Sequence, residues 1–78
     1  MPRLILTFET LHKVLSAERA LRAERAHPFQ YRPTPTPPGL SHSICGMSIE
    51  VLQLERKNEI VRFLEEHDNP PSGAHEVD

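Results

Sequence analysis

Leu4-Ile5-Leu6-Thr7-Phe8-Glu9-Thr10-Leu11-His12-Lys13-Val14-Leu15 decides the fold, because the apolar period changes inside it. Leu4 to Phe8 is a continuous apolar run, too short for a buried helix, and reads as a strand. From there Leu11, Val14, Leu15, Ala17 and Leu21 recur at helical spacing, while Lys13, Arg19, Arg22 and Arg25 fall mainly on the other side. Thr7 or Thr10 can accept from the free N–H groups of the first turn, and Glu9 suits the positive end of the helix dipole. The spacing predicts a helix from about Thr10 to Arg25, stopped by Pro28.

Downstream, Phe29-Gln30-Tyr31-Arg32 alternates as a half-buried strand does. The run Pro33-Thr34-Pro35-Thr36-Pro37-Pro38-Gly39 excludes a helix and a central strand, and predicts an extended, stiff, exposed loop. Met47-Ser48-Ile49-Glu50-Val51 alternates again and reads as a third strand. Leu54, Ile60, Val61 and Leu64 mark a second helix over about Gln53 to His67, ended by Asn69-Pro70-Pro71-Ser72-Gly73.

This order predicts a two-layer α+β (α/β) sandwich of βαββα topology, a truncated ferredoxin-like layout with both helices on one face of a three-stranded sheet. A strand–helix–strand unit returns its second strand parallel to the first, and the third strand fits antiparallel between them. The folded domain is expected over residues 1–67, with 68–78 as a disordered tail.

Seventy-eight residues allow one domain. The net charge of −2 conceals an asymmetry: residues 1–32 hold six Lys/Arg against three acids, and residues 33–78 hold three against eight. Such a layout orients a protein partner but is not a nucleic-acid footprint, which needs a clearly basic domain with stacking aromatics. No stretch has the length and apolarity of a membrane span. One cysteine forms no internal disulfide, so a cytoplasmic, reducing setting is expected. A homodimer is compatible with exposed strand edges and a small core.

The topology puts the chain before the third strand on the rim where the first helix begins, so Cys45 is expected beside Thr7, Phe8, Glu9, Thr10 and His12. Free N–H groups and the positive helix end stabilise a thiolate. His12 can supply positive charge or move a proton, and Gly46 lets another group approach closely. Glu65 and Glu66, at the end of the second helix, oppose the effect. The alternative is a structural cysteine: flanked by Ile44 and Met47, Cys45 also suits a small buried apolar site.

His42 and Cys45 form an H-x-x-C pair that only His12 or His67 could extend, so no metal site is assigned. Ser41, His42 and Ser43 crowd one loop without triad geometry, and three glycines make no phosphate loop. Neither a cofactor nor an enzymatic reaction is expected.

The residues Leu6-Thr7-Phe8-Glu9-Thr10-Leu11-His12, Ala17-Glu18, the Pro-Thr-Pro run, Leu40-Ser41 and Cys45-Gly46 resemble a small bacterial family of selenium/sulfur carrier-like proteins. The resemblance covers about residues 4–67. It implies a small α/β domain whose cysteine carries sulfur or selenium as a persulfide or its selenium analogue. Carried over, the carrier atom is Cys45 Sγ, supported by Gly46, His12, Thr10, Ser41 and His42. A protein donor such as a cysteine desulfurase and a protein acceptor are implied. The family's Arg after Pro-Thr-Pro is absent here, where Thr36 or Pro38 stands, and the loop before Cys45 is one residue longer. The other function the residues allow is a small, non-catalytic interaction or regulatory domain, binding through the proline loop or a sheet edge.

Overall fold

Leu4, Ile5 and Leu6 have no exposed surface, and the strand they form, β1 (Arg3–Thr7), is an interior strand of the sheet. The structure is a computed structural model that describes residues 2–40 and 46–77. After β1 come α1 (Leu11–Ala23), β2 (Tyr31–Pro35), β3 (Met47–Val51), a 3₁₀ turn (Leu54–Arg56), α2 (Lys57–Glu66) and β4 (Gly73–Val77). The strand order is β2-β3-β1-β4, and every neighbouring pair is antiparallel. β3 lies between β1 and β2, as the crossover argument expects.

Alternation assigns the two faces. Leu4 pairs with Val51 and Leu6 with Ile49, and these four join Val14, Ala17 and Leu21 of α1 and Ile60 and Leu64 of α2 in one core. Ile5, Thr7, Ser48 and Glu50 point to the opposite face, which carries neither helix. There the Glu50 carboxylate, with 7% of its side chain exposed, receives Arg3 Nη2 at 3.0 Å and Arg32 Nε at 3.1 Å. One acid on β3 thus ties β1 to β2. The Arg3 hydrogen bond, joined by Arg32, holds the Glu50 carboxyl below the usual carboxylate range against the opposing effect of burial.

Two expectations need correction. Among the described residues the sheet has four strands rather than three, because Gly73–Val77, expected in a disordered tail, pairs along the whole of β1. Gly, Ala, His and Glu supply little apolar pattern, so β4 is held by the ladder offered by β1 rather than by a face of its own. The second strand is also shifted: β2 includes Pro33 and Pro35, and Phe29 is a core residue in the loop before it. The prolines are tolerated because β2 is an edge strand.

Helix ends follow local chemistry. Thr10 caps α1 by accepting from Lys13 N at 3.1 Å. Past α2, Asp68 adopts a left-handed φ of 60°, while Asp68 N donates to Glu65 O at 3.2 Å and Asn69 N to Leu64 O at 2.8 Å. This is the double hydrogen bond of a Schellman motif, with aspartate where glycine is usual. Arg56 anchors the loop before β2, lying 4.1 Å above the Phe29 ring and donating to Pro28 O at 2.8 Å.

Candidate functional site

β1 and β2 end, and β3 and β4 begin, along one rim of the sheet. α1 starts from the same rim, with three residues between it and the end of β1. Backbone bonds tie these pieces together: Thr36 N donates to Gly46 O at 2.9 Å, and Ser72 N donates to Thr7 O at 2.7 Å. The rim expected from the sequence therefore exists, with Thr7, Phe8, Glu9, Thr10 and His12 on it.

Cys45, Ser41 and His42 lie outside the described residues. Gly46, to which Cys45 is covalently joined, is described and stands at the head of β3. It is exposed, and a Cβ built on it would meet nothing within 4 Å among the described residues. His12 is exposed in the first turn of α1. The Thr10 hydroxyl already accepts a hydrogen bond as the cap, so its contribution to the rim is to hold the helix start in place.

Sequence reading missed a row of polar groups on the helix-free face just inside the rim. Thr36 Oγ1 and Ser48 Oγ stand 2.6 Å apart, and Ser48 is fully buried. On the neighbouring pair of strands, Thr7 Oγ1 lies 3.4 Å from Ser72 Oγ and 3.3 Å from His75 Nε2. His75 has room because residue 73 is glycine: a Cβ there would sit 2.6 Å from Nε2 and 3.1 Å from Thr7 Oγ1. The alternation of β3 carries the signal for Ser48 and Glu50. Nothing local carries one for His75, whose place depends on β4 pairing with β1 across most of the chain.

The H-x-x-C pair falls outside the described residues. Among the described residues no three or more His, Asp or Glu gather as a metal site, and no helix is long and apolar enough to cross a membrane. The family model described as "Putative Se/S carrier protein-like" matches residues 3–76. That span includes β4 up to Glu76 and so reaches beyond the 4–67 judged from motifs. Among curated proteins and among solved structures, nothing matches the chain.

Proposed function

The chain belongs to the family of selenium/sulfur carrier-like proteins, and from that premise we propose that it carries sulfane sulfur or selenium on the Cys45 thiol between two partner proteins. The observation that carries this reading is the Thr36 N to Gly46 O bond of 2.9 Å. It ties the residue joined to Cys45 to the sheet rim from which α1 also starts, and a helix start favours an anion.

The chemistry is a pair of exchanges at sulfur. The Cys45 thiolate attacks the outer sulfur of a donor persulfide. A new S–S bond forms on Cys45, the donor's S–S bond breaks, and the donor cysteine leaves as a thiolate. An acceptor nucleophile then takes the outer sulfur and returns Cys45 as a thiolate. No external oxidant or reductant enters, and a selenium atom would move in the same way. His12 would take and return the proton of the thiol. Thr10 would keep the helix end in place, and Ser41 and His42, close to Cys45 in sequence, would contact the persulfide. A reducing compartment such as the cytoplasm suits a thiol kept ready for exchange.

The test is incubation of the native protein with a persulfide donor, followed by mass spectrometry. Wild type is expected to gain one sulfur atom on Cys45 and to lose it to an added acceptor thiol. Cys45→Ser is expected to gain none while keeping its fold. A thiol that reacts with a disulfide reagent only after unfolding would replace this reading with that of an interaction domain holding a structural cysteine.

A further inference from the structure

Two of the five apolar residues that the helical spacing assigns to the core face of α1 are not in the core. Val14, Ala17 and Leu21 are buried, but Leu11 and Leu15 are each 52% exposed. They share a stripe with Glu18, because positions i, i+4 and i+7 stack along one side of a helix. The Tyr31 hydroxyl shows where that stripe faces, since it donates to Glu18 Oε2 at 2.7 Å. The Leu11–Leu15 flank therefore looks over β2, the edge strand.

Tyr31, Pro33 and Pro35 alternate onto the helix-bearing side of β2, and both prolines are exposed. α1 runs back against the direction of β2. From the Glu18–Tyr31 contact, Leu15 and Leu11 rise roughly 4.5 and 10.5 Å along α1, while Pro33 and Pro35 rise about 6.6 and 13 Å along β2. Leucines and prolines thus stand level as two sides of one apolar flank, which opens at the rim bearing Gly46.

Its edge chemistry selects the occupant. Thr36 N and Gln30 O bond across to Gly46 and Leu52 at the two ends of β3, so the alternate residues 31, 33 and 35 turn their N–H positions outward. Pro33 and Pro35 have no N–H, so this edge is a poor template for another strand. Charge narrows the choice further. Arg19 and Arg22 continue the stripe, and the one acid on it, Glu18, is already bound by Arg22. A second copy would bring the same basic stripe to the flank, whereas an acidic partner complements it.

We infer that the flank formed by Leu11, Leu15, Pro33 and Pro35 is a docking surface for an acidic amphipathic helix of a partner protein, with leucine-like anchors one turn apart. The inference does not rest on the chemistry of Cys45. It is tested on Cys45→Ser protein, so its failure and the failure of the carrier reading are separate results. The probe is a synthetic helical peptide with two leucines four residues apart among glutamates, against a counterpart with lysines for the glutamates.

In ¹⁵N NMR titrations the glutamate peptide is expected to shift resonances within residues 11–22 and 31–35, more weakly as salt is raised, and the lysine peptide is not. The Leu11→Asp/Leu15→Asp protein is expected to bind about tenfold more weakly or worse. Arg19→Glu supplies the same test should the double variant fail to fold. Shifts mapping elsewhere, equal binding of both peptides, or unchanged affinity in the variants would overturn the inference. Concentration-dependent shifts of these residues in the protein alone would make a second copy the occupant, and would overturn it too.

Discussion

Glu50 is the residue whose surroundings matter most to the sheet. It stands on a face that carries no helix, yet its carboxylate is nearly covered by two guanidinium groups, themselves 38% and 61% exposed. Those partners are partly in water, so each contact is screened and worth less than a fully enclosed pair. Because the folded carboxyl titrates below its ordinary value, its stabilisation is complete above the unfolded pKa of about 4.3. It is lost as pH falls through the lower folded value. Glu50→Gln is expected to destabilise the protein by about 1 kcal/mol at neutral pH. Urea unfolding over a pH series should show the gap to wild type closing below about pH 4, and a gap independent of pH would refute this assignment. The alternation of β3 makes the outward direction of Glu50 legible in the sequence, but not its partners. Arg3 and Arg32 come from strands that meet β3 only in the assembled sheet.

At the scale of elements, legibility follows the strength of the pattern. β3 reads with its observed limits, because Met47–Val51 alternates cleanly between a Gly and a Leu-Gln break. α1 reads as a helix, but periodicity does not say how wide a stripe the sheet covers, so it assigns Leu11 and Leu15 to the core. Alternation places β2 two residues early, because prolines argue against a strand unless its outer edge is known to be free of a neighbour. That outer edge carries the prediction for this scale. Replacing Pro33 and Pro35 by threonine returns two outward N–H donors and leaves the pairing with β3 unchanged. The double variant is expected to self-associate at concentrations where wild type does not, read by sedimentation velocity. Identical sedimentation would show that the prolines do not guard the edge.

For the whole molecule, the order of the first five elements and the central place of β3 follow from the crossover rule. The fourth strand does not, since its residues carry no signal without the strand they pair with. The same ladder argument says what β4 is worth. Without residues 73–77, β1 would become an edge, with the outward backbone groups of Arg3 and Ile5 left without strand partners and Thr7 keeping only the bond its carbonyl accepts from Ser72 N. A chain ended at Ser72 is expected to lose several kcal/mol, comparable with the whole stability of a small domain. It should show collapsed NMR dispersion and non-cooperative melting, and a well-dispersed, cooperative truncated protein would show β4 to be dispensable. The chemistry of the site is legible in the sequence only as far as the rim. Helix start, Gly46 and His12 stand where topology requires, whereas the hydroxyl row and His75 emerge only once all four strands are assembled.

The pairing of Arg3 with Val77 and of Thr7 with Gly73 also sets how the molecule answers to tension. A pull on residues 2 and 77 loads the sheet at one end of the β1–β4 ladder, so its bonds break in succession, like a zipper. A pull on residues 2 and 72 loads the same ladder lengthwise, and all its bonds must yield together. Optical-tweezer unfolding is expected to need clearly lower force in the first geometry than in the second, and equal forces would mean that this ladder is not the mechanical clamp.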